Sequence, residues 1–249
     1  MGAKTALLAF TDGDLRPALL GATPSGSAEA EALVREILPG YDVTLVGEST
    51  LDVTYPPDDI THVTVLPGAE LLCDRRLVLD RPSELPEHLL RAGAGRRIIM
   101  HGMHSVVDWL CFAVWEGGKL VRSLSLSPDG GIEENIGEPY DFERPYWDGL
   151  HPVEQDPAGG DQVPYPLPFH PLELGEEALQ VLFGFVIEGM PEPHDIDADS
   201  VHMRVFRVGD PSGEEQAARK TAHEQATRDM GPPRTFRMGP DGTMQEVGP

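Results

Sequence analysis

Basic side chains are scarce in this sequence, nineteen against forty-two acidic ones for a formal net charge of −23. That balance excludes adhesion to nucleic acid or to an anionic membrane, since both need clustered Lys and Arg. Cations, basic peptides or neutral molecules fit it better. No run approaches the roughly 18 apolar residues of a membrane helix. The first residues show no signal-peptide pattern, and Ala6 stands where a myristoylation signal wants Ser or Thr. Cysteine is limited to Cys73 and Cys111, both inside apolar runs, which excludes a disulfide framework and reads as two reduced core thiols. The expected compartment is the cytoplasm. No internal repeat is present.

What remains is ample for a core: 249 residues, 40% hydrophobic. The strongest local signal lies between His104 and Ser127. Val106 to Trp115 and Leu120 to Leu126 flank Glu116-Gly117-Gly118-Lys119, the pattern of two strands joined by a tight primed turn. A regular register from that turn sets Trp115 against Leu120, Phe112 against Ser123, Leu110 against Ser125 and Asp108 against Ser127. Trp109, Cys111, Ala113, Trp115, Leu120, Leu124 and Leu126 would form the core face, interrupted by Arg122. His104, Asp108 and Ser127 would share the other face, polar at its open end.

Lys4 to Phe10, Asp42 to Val46, Thr61 to Leu66, Leu71 to Leu79 and Arg97 to Met103 read as further strands. Ala30, Leu33, Val34, Ile37 and Leu38 recur at helical spacing behind Ser27, and a short helix runs from Ser83 to Ala92. Between Pro128 and Pro171 prolines and aromatics alternate, predicting an ordered arm that wraps the sheet. Gly175 to Glu188 reads as a buried helix. Beyond Gly189 apolar residues thin out, apart from a short strand-like stretch from Val201 to Val208. Residues 1–189 are therefore expected to form one folded domain and 190–249 an acidic, largely flexible tail, with Glu214 to Asp229 as a solvated helix. Consecutive strands lack helical crossovers, so the predicted class is α+β, a mostly antiparallel sheet with two or three helices on one face; a doubly wound α/β fold is the alternative.

Three constellations carry chemistry. His104, Asp108 and Ser127 suggest a Ser-His-Asp arrangement, but four strand residues separate His104 from Asp108 by roughly 13 Å, and no Gly-x-Ser-x-Gly elbow is present. Asp108 with Ser127 remains as a polar pair. His101-x-x-His104 with Asp108, joined by His151, His170 and Glu173, has metal-ligand chemistry, but chelation by His101 and His104 needs a bulge at Gly102. The Ser123, Ser125, Ser127 row leads into Asp129-Gly130-Gly131, a candidate ligand-binding edge. No cofactor is implied.

Met1-Gly2-Ala3-Lys4-Thr5, Cys73-Asp74-Arg75-Arg76, Met103-His104-Ser105-Val106-Val107-Asp108-Trp109, Ser123-Leu124-Ser125-Leu126-Ser127-Pro128-Asp129 and Tyr165-Pro166-Leu167-Pro168-Phe169-His170-Pro171-Leu172-Glu173-Leu174-Gly175-Glu176 carry one further signal. Through them the chain, to about Gly189, resembles a family of uncharacterised actinobacterial proteins. The resemblance implies one folded domain with a variable tail in a bacterial cytoplasm, and no activity. Two functions follow from the residues: a binding or interaction protein with a small-molecule or protein partner, or a hydrolase-like or metal-dependent enzyme using His104, Asp108 and Ser127. A deep pocket joining those three residues to the arm would favour the enzyme, and a shallow apolar patch the interaction module.

Overall fold

A computed structural model describes residues 2–21, 26–153, 164–229, 235–238 and 244–247. The chain runs β1 (Lys4–Thr11), α1 (Leu15–Leu20), α2 (Ser27–Ile37), β2 (Asp42–Thr50), β3 (Ile60–Leu66), β4 (Ala69–Cys73), α3 (Glu87–Ala92), β5 (Arg97–His104), β6 (Trp109–Glu116), β7 (Lys119–Ser127), β8 (Gly131–Ile136), α4 (Arg144–Trp147), α5 (Pro171–Phe183) and β9 (His202–Gly209). These strands form one nine-stranded sheet in the order β2-β9-β3-β4-β1-β5-β6-β7-β8. Every described ladder in it is antiparallel, so the fold is α+β and the doubly wound alternative falls.

Both faces of the sheet are covered, which explains why its central strands are apolar on both sides rather than alternating. Leu7, Ile99, Phe112 and Leu124 pack beneath Leu174, Leu179 and Phe183 of α5. On the opposite face Leu8, Phe10, Met100, Ala113 and Trp115 meet Ala30, Val34 and Ile37 of α2 and Leu89 of α3. Helices thus lie on two faces, not on one.

Two boundaries differ from expectation. Helix α5 starts at Pro171, because the His170 imidazole caps it by accepting the Leu172 N–H at 3.3 Å, and stops at Gly184, whose φ of 86° makes the left-handed cap. The main compact unit extends to Gly209, twenty residues past the expected end of the folded domain. Strand β9 forms at the strand-like stretch from Val201 to Val208, pairs with both β2 and β3 and buries Met203, Phe206 and Val208.

The arm covers the α5 face: Tyr146 and Phe169 are buried, and Tyr140, Phe142, Trp147 and Tyr165 pack against them half-buried. Its first part supplies the edge strand β8, and residues 154–163 of the predicted arm lie outside the described residues. Residues 210–249 form a separate unit holding α6 (Glu214–Asp229) and a hairpin of β10 (Thr235–Met238) and β11 (Met244–Val247). Helix α6 coincides with the predicted solvated helix; tail residues 230–234, 239–243, 248 and 249 lie outside the described residues.

Candidate functional site

The central hairpin turns at Gly117 and Gly118, both at positive φ, and starts in the expected register, Glu116 against Lys119 and Trp115 against Leu120. A bulge then adds Val121, so Val114 faces Arg122, Phe112 faces Leu124 and Leu110 faces Leu126. One extra residue exchanges the faces of everything beyond it. Leu124 and Leu126 join Phe112 under α5, and the serine row moves to the face of Trp109 and Cys111.

This shift rearranges the predicted site. His104 pairs across the sheet with Lys4 on one side and Trp109 on the other. The Leu110/Leu126 pair brings Trp109 and Ser127 to the next step of the ladder. A cavity of about 380 Å³ opens over this end of the sheet, between His104, Trp109, Ser127 and Asp129 and the overlying Tyr55, Arg75, Val78 and Asp80. Its floor is tight: a Cβ on Gly102 would come within 2.3 Å of Val78 Cγ1 and 2.9 Å of Cys111 Sγ, so the absent side chain lets Val78 settle on the sheet.

Tyr55 organises the cationic end. The Arg75 guanidinium lies over its ring at 4.0 Å, Lys4 Nζ approaches the ring centre to 5.8 Å, and His104 meets it edge-on with centroids 5.7 Å apart. Arg75 also pairs with Asp58 at 3.0 Å through Nη1, while its Nε–H is buried with no hydrogen-bond acceptor. Burial lowers the His104 pKa first, and the charges of Lys4 and Arg75 lower it further. The ring is therefore neutral near pH 7, and because Nδ1 accepts the Val106 N–H at 3.3 Å, its proton sits on Nε2. Trp109 lines the cavity, and its indole N–H is buried away from it without an acceptor. Ser127 Oγ accepts the Gly130 N–H at 2.9 Å and holds the turn that carries Asp129.

Asp108 does not join His104 and Ser127. Its residue adopts a left-handed φ of 47° in the turn between β5 and β6, and its carboxylate turns to His170 Nε2 at 3.6 Å. Tyr165 stacks on His170 at 5.7 Å, and burial, then the Asp108 charge, pushes its hydroxyl pKa up to about 12. His101 points under α5, on the face opposite His104, and the ladder runs through Gly102 with no bulge. Both of its ring nitrogens are used: Nε2 donates to the Gly175 carbonyl at 2.9 Å and Nδ1 accepts from Thr5 Oγ1 at 2.8 Å. Burial lowers its pKa to about 4. His151 stacks on Tyr146 at 4.2 Å, and the Glu173 carbonyl accepts from the Tyr146 hydroxyl at 3.3 Å. Ser125 is fully buried, its hydroxyl without a partner, and does not line the cavity. Among the described residues no three His, Cys, Asp or Glu side chains converge as a metal-binding group.

Tyr55, Arg75 and Asp80 escaped the sequence reading because they come from segments far from the hairpin. The pairing of two arginines behind the β4 strand is the one signal that could have pointed there. Glu143 escaped it as well, and with it the pairing to Arg122. Both are fully buried and joined twice, Nε to Oε1 at 2.8 Å and Nη2 to Oε2 at 2.5 Å, which pins the start of the arm to β7.

The model of a family of unknown function (DUF6928) matches residues 5–206, from the first strand of the sheet into the last. No curated protein and no solved structure matches the chain.

Proposed function

The chain belongs to the family of unknown function DUF6928, which supplies no activity, and from the geometry we propose that it binds a small organic molecule in the cavity between Arg75, His104 and Trp109. The observation that carries this is the cavity itself, about 380 Å³, in which the Arg75 guanidinium, the His104 imidazole and the Trp109 indole line the same space beside apolar surface. A concave site with few convergent polar groups among apolar ones is what a small organic ligand requires.

A hydrolase-like reading finds less support. His104 has no carboxylate to orient it as Asp108 would, since Asp108 turns to His170, and Ser127 Oγ holds Gly130. His101 spends both nitrogens on Thr5 and Gly175, which argues against a metal at His101-x-x-His104. A bacterial, actinobacterial cytoplasmic setting belongs to the same reading. Two buried free thiols, Cys73 and Cys111, suit a reducing compartment, and among the described residues no helix is long and apolar enough to cross a membrane.

Ligand-observed NMR of the full chain with a library of small polar fragments tests the proposal. A set of fragments should bind the native chain and lose binding in Trp109→Phe and His104→Ala. Absence of any binder, or binders that ignore both substitutions, would overturn it.

A further inference from the structure

The cavity is electrically bipolar, and the sheet order shows how. From β1 to β8 across its floor come Lys4, His104, Trp109 and Ser127, followed by Asp129 in the turn beyond. Lys4 and Arg75 gather around Tyr55 at the first end. Asp129 lies at the second, and Asp80 is the other carboxylate lining the cavity. Val78 and Val107 add apolar surface to the lining.

Resting on the ligand-site reading above, we propose that the cavity takes a free α-amino acid with an apolar side chain, its carboxylate toward Arg75, His104 and Trp109 and its ammonium toward Asp80 and Asp129. At the first end the lining side chains are donors by type, the Arg75 guanidinium, the His104 imidazole and the Trp109 indole, with the Lys4 ammonium close by over Tyr55. Donors in that number select an acceptor, and a carboxylate satisfies several at once. At the other end two exposed carboxylates favour a cation and repel a multiply charged phosphate. A zwitterion answers both ends, whereas a simple acid or a simple amine leaves one mismatched. The volume, about 380 Å³, lies low in the roughly 300 to 1,000 Å³ range of ligand sites, as a small ligand requires.

Titration calorimetry of the full chain tests this with L-leucine and L-phenylalanine, their N-acetyl derivatives, which lack the ammonium, and their amides, which lack the carboxylate. The free amino acids should bind, and each derivative should bind about ten-fold more weakly or worse, the loss of one charged hydrogen-bond partner. Arg75→Gln should erase the preference for carboxylate over amide, and the pair Asp80→Asn with Asp129→Asn the preference for free amine over acetyl. Derivatives that bind as well as their parents, or no binding by any of the twenty common amino acids, would overturn the assignment. Should Trp109-dependent fragment binding persist in that second case, the ligand class falls and the cavity reading stands; should it vanish too, both fall.

Discussion

Replacing Glu143 with alanine asks how firmly the arm is fixed to the sheet. The carboxylate accepts from Arg122 Nε at 2.8 Å and Nη2 at 2.5 Å, from the Tyr140 N–H at 2.9 Å and from Trp147 Nε1 at 3.4 Å. Its loss leaves a guanidinium fully out of water, with Nη1 still bonded to Asn135 Oδ1 at 2.7 Å and the Ile136 carbonyl at 2.9 Å. Removing one partner of a buried ion pair costs about 3 to 5 kcal/mol, because the other charge stays behind uncompensated. For a chain of this size each kcal/mol lowers Tm by about 2 to 4 °C, so a fall of roughly 6 to 20 °C is expected. The double substitution Arg122→Met with Glu143→Leu removes both charges and should recover most of that loss. Urea unfolding followed by circular dichroism measures the stabilities, and limited proteolysis reports whether residues 138–153 detach. A loss below about 1 kcal/mol in Glu143→Ala, or a double variant no better than the single one, would refute the reasoning.

A chain ending at Gly209 should melt within a few degrees of the full chain, whereas one ending at Gly189 should lose its cooperative transition, because β9 and its buried Phe206 are gone; differential scanning calorimetry separates the two. His101 has a depressed folded pKa of about 4, so below about pH 6.5 the unfolded chain binds a proton first. Stability tied to this neutral ring is complete above pH 6.5 and declines toward pH 4, by up to roughly 3 kcal/mol; His101→Gln should show a shallower fall in urea midpoint between pH 7 and 4.5, and an unchanged fall would sink the idea. Gly102→Ala places a methyl 2.3 Å from Val78 Cγ1 and should cost about 1 to 3 kcal/mol by overpacking, read as a lower Tm.

Local signals carried much of this fold. The helical spacing of Ala30, Leu33, Val34 and Ile37 and the glycine pair at 117 and 118 lead directly to α2 and to the central turn. The error downstream of that turn has a single cause: nothing in Leu120-Val121-Arg122 announces a bulge, yet one added residue reversed the faces of Ser123, Ser125 and Ser127. Arg122 was visible as a charge on an apolar face, but its partner Glu143 lies 21 positions away, in a segment without regular structure to extrapolate. Of the cavity lining, His104, Ser127 and Asp129 were legible because they stand at the ends of neighbouring, sequence-local strands: the end of β5, the end of β7 and the turn after it. Tyr55, Arg75 and Asp80 reach the cavity through tertiary packing, which periodicity does not encode.

The position of β9 also sets an order of events as the chain is made. Strand β2 forms an edge whose one described partner in the sheet is β9, so residues 42–50 wait for residues 202–209, more than 150 positions later in the sequence. Until then β3 also lacks its outer neighbour, and a nascent chain on the ribosome displays an unpaired strand edge through most of its synthesis. Such non-local pairing slows folding, because the entropy of closing a long loop must be met before any contact rewards it. Premature termination anywhere in the last turn of the sheet would therefore release an aggregation-prone fragment rather than a shortened working protein.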